Sequence, residues 1–276
     1  MSFQDNVYLM SEINLIEISL YLTTGAFAGI LAGLLGVGGG LFIVPVLLFV
    51  LPIAGVESDQ LMTICVATSL CTIVITSISS IVAHQKHGAI LWPVFWQFLP
   101  GISLGALLGA VVADTVSQQL LKNLFALSVI LIALKMLLQI RPKTTTKLPG
   151  IFGLISTGTV IGGLSAMIGI GGGALTVPIL NYWNTPMAKA VATSSACGLP
   201  LAIAGTLGFI VTGMDQLNLP AYSSGYVYWP AVLGIISSSA LFAPIGAKFA
   251  HKISAPLLSR IFAIFLLIVG SKVLLG

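Results

Sequence analysis

Gly36-Val37-Gly38-Gly39-Gly40-Leu41-Phe42-Ile43-Val44-Pro45 interrupts a long apolar run, and it returns later as Gly169-Ile170-Gly171-Gly172-Gly173-Ala174-Leu175-Thr176-Val177-Pro178. Positions 36 to 47 and 169 to 180 share seven identities in twelve. Three successive glycines each cost a helix about 1 kcal/mol relative to alanine, and the proline beyond them removes a donor and crowds a preceding carbonyl. Each copy is therefore expected to be a helix, a break and a second helix. Backbone opened in a bilayer leaves amides unpaired at several kcal/mol apiece, so such breaks survive only where protein or a wet cavity surrounds them. Both breaks are candidate site material.

The surroundings of the breaks are those of a membrane protein. Of 276 residues 57% are hydrophobic and 7% charged, and the mean hydropathy is +1.11. Soluble domains carry roughly 25% charged residues. The chain therefore reads as all-α and polytopic. Its eleven Lys and Arg residues are scattered over short loops and form no stripe, which argues against nucleic acid as a partner. Cys65, Cys71 and Cys197 lie in apolar segments without CxxC spacing, so they read as packing residues and not as a disulfide or metal set. No metal or cofactor is expected. The first Lys or Arg is Lys86, so no cleavable signal with a basic start is expected.

Ten apolar segments can be drawn, at 15 to 35, 41 to 53, 60 to 83, 89 to 112 and 118 to 139, then 150 to 168, 174 to 183, 188 to 213, 226 to 247 and 254 to 275. The second five repeat the first. The offset is 133 at the glycine break, 125 at Ala67-Thr68-Ser69 against Ala192-Thr193-Ser194, and 137 at Trp92-Pro93 against Trp229-Pro230. An internal duplication explains this. It divides the chain into a first membrane repeat at 1–140, a cytoplasmic linker at 141–149 and a second membrane repeat at 150–276. The linker, Arg141 to Pro149, is polar and flanked by prolines.

Spanning a bilayer takes about 20 apolar residues. The segments after the breaks fall short, so each is expected to form one arm of a hairpin that enters and leaves on the same side. Each half then crosses an odd number of times and the two halves are inverted. With the N-terminus outside, all the acidic residues (Asp5, Glu12, Glu17, Glu57, Asp59, Asp114 and Asp215) lie at the outer side. Lys86, Arg141, Lys143, Lys147, Lys189, Lys248 and Lys252 lie inside, with Lys122 and Lys272 at outer ends, in keeping with the positive-inside rule. Both termini are expected to be periplasmic. Lys135 and Lys272 lie near helix ends, where snorkelling explains them, and Trp92, Trp96 and Trp229 suit interfacial anchoring. Glycines four apart, at Gly25, Gly29 and Gly33, at Gly101, Gly105 and Gly109, and at Gly158 and Gly162, are expected to let helices approach closely.

Inverted halves with broken segments near the midplane are the architecture in which secondary transporters build substrate sites. The second arm of each hairpin starts at the tip, either soon after the glycines or with Pro45 and Pro178 at its first position. Its free amides then face the break and attract anions. The competing reading is a tight turn kept small for packing. The candidate substrate-binding residues are Gly36, Gly38, Gly39, Gly40 and Pro45, with Gly169, Gly171, Gly172, Gly173 and Pro178. To these are added Thr68, Ser69, Thr193 and Ser194, whose hydroxyls either donate to an oxyanion or bond back to their own helices. Thr72, Thr76 and Ser77 continue the first polar run. His84, in a cytoplasmic cluster with Lys86 and His87, is the candidate coupling or gating residue.

Two enzyme patterns fail on context. Gly169 to Ala174 fits G-x-G-x-x-A, but an apolar helix precedes it where a strand is needed. Gly163-Leu164-Ser165-Ala166 is similar to the serine motif of intramembrane rhomboid proteases, but the three histidines lie near membrane faces.

Together, the two glycine motifs, Ala67-Thr68-Ser69, the stretch from His84 to Trp92 and the glycines from Leu99 to Ala113 resemble the sulfite exporter TauE/SafE family, over nearly the whole chain. The resemblance implies a multi-pass transporter of the bacterial inner membrane for small sulfur-containing anions such as sulfite, sulfonates, sulfoacetate or thiosulfate. It departs from the family at Leu91, where an aspartate often precedes the tryptophan. The expected function is secondary transport by alternating access, ion-coupled, with a passive anion channel and an intramembrane serine protease as alternatives. The expected partners are a small inorganic or organosulfur anion and the lipid bilayer, with a homodimer left open.

Overall fold

The computed structural model describes residues 15–35, 40–138, 147–250 and 255–275, and Gly36, Gly38 and Gly39 lie outside them. The described residues form ten helices: α1 (Leu15–Leu35), α2 (Gly40–Ile53), α3 (Leu61–Gln85), α4 (Trp92–Thr115), α5 (Gln118–Leu138), α6 (Ile151–Ile168), α7 (Gly173–Tyr182), α8 (Met187–Thr212), α9 (Trp229–Ala250) and α10 (Ala255–Leu275). Five of them, α3, α4, α5, α6 and α8, are each long and apolar enough to cross a membrane. The chain is a polytopic membrane protein. α2 and α7, at 14 and 10 residues, rise only about 21 and 15 Å at 1.5 Å per residue, less than the hydrocarbon thickness.

Two helices start later than the apolar runs suggest. Segments drawn from 89 and 226 begin as helix only at Trp92 and Trp229. In each case a proline follows directly, and its fixed φ suits the first helical turn while it restricts the residue before it. Ahead of α9, Ser223–Ser224 pairs antiparallel with Val227–Tyr228 in a two-stranded hairpin, β1 and β2, turned at Gly225 with φ +52°.

Small residues set the closest helix contacts. α1 packs along α9, and α4 packs along α6. A Cβ at Gly101 or Gly105 would strike the backbone carbonyl oxygen of Ile155 or Thr159 on α6, and one at Gly29 would come within 2.6 Å of Ser239 O on α9. The other face of α4 presents Leu104, Leu108 and Val111, all exposed, as a lipid-facing surface requires. When the helices are matched by the sequence repeat, the α1–α9 pair corresponds to α6–α4. The contacts α3–α8 and α5–α10 correspond to themselves.

α3 is the centre of the core, buried along most of its length, including Thr63, Thr68, Ser69 and Thr72. It packs on α2, α8 and α9. All three cysteines are free thiols, with Cys65 and Cys197 buried. Lys272 does more than snorkel, because its Nζ stands 4.5 Å over the Phe49 ring of α2. Trp96 and Trp229 are exposed at helix starts, and the Trp229 indole donates to Ser224 Oγ at 2.8 Å.

Candidate functional site

The second break is built by local backbone chemistry. α6 ends at Gly169 with φ +72°, its amide donating to Ala166 O at 3.2 Å and that of Ile170 to Ser165 O at 3.0 Å. That is a Schellman motif, and the left-handed residue in it favours glycine. α7 then starts at Gly173, with Thr176 N donating to Gly172 O at 2.9 Å as the first bond of its ladder. Pro178 is therefore inside α7, as Pro45 is inside α2, and neither opens its helix. Of the two starts considered from sequence, the one at the glycines is the one seen.

This geometry leaves donors without acceptors. The amides of Gly171, Gly172, Gly173, Ala174 and Leu175 have no hydrogen-bond acceptor among the described residues. Gly171 and Gly172 are buried, and α7 has no side-chain cap. The first amides of any helix lack intrahelical partners, but buried amides are almost always paired, so those of the buried Gly171 and Gly172 are the ones that call for an acceptor. The helix dipole adds partial positive charge at the same end.

The two breaks meet here. A Cβ on Gly40 would lie 3.1 Å from Gly171 N and 3.3 Å from Gly169 O. Ser69 Oγ donates to Gly169 O at 3.0 Å, and Ser194 Oγ donates to Gly172 O at 3.2 Å. Both serines thus spend their protons on break carbonyls from neighbouring helices, an option beyond the two weighed from sequence. Gly171, Gly172, Gly173 and Ser194 line one narrow recess with Ile73, Ser77 and Ser80 of α3 and Ser195 and Gly198 of α8. The recess holds about 20 Å³, room for one water-sized group. No charged side chain is in that lining.

Ser77 stands out within it. It is 6% exposed and lines the recess, and its hydroxyl has no partner among the described residues. Ser69, Ile73, Ser77, Ser80 and His84 fall at spacings of four, four, three and four, one face of α3. His84, half-buried at the last turn, ends this track about 10 Å beyond Ser77 at 1.5 Å per residue. That spacing was readable in the sequence. Ser195 and Gly198 carried no comparable signal.

Thr68 and Thr193 sit elsewhere. Thr68 Oγ1 accepts from Tyr228 N at 3.2 Å, and Thr193 Oγ1 accepts from Leu91 N at 2.9 Å. Tyr228 and Leu91 are the residues immediately before Trp229-Pro230 and Trp92-Pro93. Each threonine therefore anchors the start of a helix from the other half of the chain, and neither is in the lining of the recess. Thr193→Val would strand the Leu91 amide, costing about 1–3 kcal/mol. Its melting temperature is expected to fall by several degrees, with Thr193→Ser close to the parent.

Away from the recess, Tyr226, buried in the hairpin turn, donates to Asp114 at the end of α4. Burial and then this bond push the Tyr226 phenol well above the usual tyrosine range, so it remains a donor. Gln118 of α5 donates to Thr63 Oγ1 at 2.7 Å and to Gln60.

Comparison with known proteins bears on the identity of the whole chain. The model of the family described as "Sulfite exporter TauE/SafE" matches residues 21–273. A probable membrane transporter protein of Haemophilus influenzae is 38% identical over 263 residues, covering 94% of this chain and 98% of its own. The probable membrane transporter protein YunE of Bacillus subtilis is 25% identical, covering 92% and 96%. One from Methanocaldococcus jannaschii is 29% identical, covering 87% and 89%. No solved structure matches the chain significantly. These relatives are described as probable membrane transporters, and the chain, a membrane transporter by this kinship, belongs to the sulfite exporter TauE/SafE family.

Proposed function

We propose that this protein is a secondary transporter carrying a small sulfur-containing anion, of the sulfite, sulfonate, sulfoacetate or thiosulfate class, across the bacterial inner membrane by ion-coupled alternating access. The observation that carries this reading is the run of five amides from Gly171 to Leu175, without an acceptor among the described residues, at a partly buried helix start. Such an end favours negative charge, and glycine lets an anion approach the backbone.

The two repeats, 1–140 and 150–276, act as inverted halves with both termini periplasmic. Support comes from the pairing of α1 with α9 and of α4 with α6, equivalent contacts when the halves are exchanged. Further support comes from the side assignment, since groups assigned to the outer face bond one another, Asp114 with Tyr226 and Gln118 with Gln60. At the inner end, the Trp92 indole donates to Gln85 Oε1 at 3.0 Å. The halves are not equivalent in conformation, because α4 lies along α8 more extensively than α9 lies along α3. That inequality fits one of two alternating states.

In this mechanism the anion meets the break amides between α3 and α8, where a recess of about 20 Å³ must widen to admit it. Gly36, Gly38 and Gly39 would supply the matching end of the first half. Ser69 and Ser194 hold the break carbonyls away from the anion, and His84 lies on the track leading from the recess to the cytoplasmic face. The test is radiolabelled sulfite flux in proteoliposomes under an imposed proton gradient. Accumulation against the sulfite gradient is expected. Flux that only follows the sulfite gradient would instead indicate a passive channel, and absence of anion flux would reject the reading.

A further inference from the structure

The lining of the recess also bears on the charge of what it takes. The free donors in its lining are neutral: the amides of Gly171, Gly172 and Gly173 and the hydroxyls of Ser77 and Ser80 on α3, the Ser194 and Ser195 hydroxyls of α8 being already donated to Gly172 O and Val191 O. One helix end is equivalent to roughly half an elementary charge. The cost of moving an ion out of water grows with the square of its charge, so a dianion costs about four times as much as a monoanion of equal size. Among the described residues, no lysine, arginine or histidine lines the recess to offset a second charge. Ser77, a residue 6% exposed whose hydroxyl has no partner among the described residues, lines the same recess from the other half of the chain.

We infer that the recess binds a singly charged sulfonate-like oxyanion, with the break amides of α7 on its oxygens and Ser77 of α3 as its side-chain donor. This rests on the anion-transport reading and narrows it. The ligand bridges the two repeats, so its arrival and departure couple the position of α3 to that of α7. Ser77 determines affinity by direct contact, whereas Ser69 and Ser194 act through the break carbonyls they hold.

Calorimetric titration of the purified full-length protein in chloride-free buffer near neutral pH tests this, with methanesulfonate as the monoanion and sulfate as the dianion. Methanesulfonate is expected to bind at least about tenfold more tightly than sulfate. Ser77→Ala is expected to weaken it by about tenfold or more, the loss of one hydrogen bond to a charged group. Ser77→Cys keeps the size but donates weakly, and it should fall with Ser77→Ala if the donor matters. Ser79→Ala, on the exposed side of α3 with its hydroxyl on Ile75 O, should match the parent. Sulfate binding as tightly as methanesulfonate would overturn the inference while leaving the anion-transport reading in place. Preference for methanesulfonate with Ser77→Ala and Ser77→Cys unchanged would remove Ser77 from the site. Binding of neither anion would overturn both readings.

Discussion

Gly105→Leu is expected to leave no folded, monodisperse protein after detergent extraction. The α4–α6 interface is set by backbone contact, and even a Cβ at Gly105 would overlap Thr159 O, with Thr159 Cα at 2.8 Å. Nothing in that contact is the far end of a flexible side chain, so the helices have to separate. Gly101 and Gly109 make the same kind of approach, to Ile155 and Gly163. Overpacking ordinarily costs about 1–3 kcal/mol. Separating two helices along a glycine-lined seam also forfeits the dispersion that holds them in lipid, so the loss should reach at least about 3 kcal/mol. Leu104→Ala, one residue away on the exposed face, should extract and melt like the parent. Size-exclusion profiles and thermal melts of the two variants read the difference.

Gly171→Val, by contrast, is expected to fold and to lose anion binding. A Cβ at this position would sit 3.5 Å from Ile73 Cγ2 and 3.8 Å from Ile73 Cδ1, ordinary contact distances. Gly171 has no positive φ, unlike Gly169 at +72°. The Cβ itself therefore meets only ordinary contacts, and the two methyl groups beyond it take up the recess of about 20 Å³ and cover the amides beside it. Affinity should fall at least about 100-fold, equivalent to ~2.7 kcal/mol, with the melting temperature nearly unchanged. Gly171→Ala should be intermediate. Equal affinity in the parent and Gly171→Val would place the anion elsewhere.

These two glycines show what a sequence can and cannot disclose. The spacing of Gly101, Gly105 and Gly109 announced a close helix contact, and the contact is there with α6. The second break was equally legible, because three glycines followed by a proline cannot continue a helix in lipid unremarked. Its exact form was not, since a helix can start at the glycines or at Pro178, and only tertiary packing chose Gly173. The first break could not be followed to its tip, since Gly36, Gly38 and Gly39 lie outside the described residues.

Hydroxyl roles were the hardest to foresee. Thr68 with Ser69 and Thr193 with Ser194 repeat as pairs, which marked them as important without saying why. Their partners are 160 residues away for Thr68, 102 for Thr193 and 100 for Ser69, and those partners are backbone atoms, which leave no trace in residue type. The late starts of α4 and α9 have the same origin. The residue before each Trp-Pro is held by a threonine of the other half of the chain, and hydropathy alone does not register such a bond. The short β1–β2 hairpin escaped because strands of two residues have no periodicity to detect.

The most direct measurement is an experimental structure of the protein soaked in selenite, with the heavy atom located from its anomalous signal. The predicted result is a selenium peak between α3 and α8, with oxygens in hydrogen-bond reach of the Gly171–Gly173 amides and of Ser77. A saturating peak elsewhere in the membrane core, with the break amides still unpaired, would contradict it.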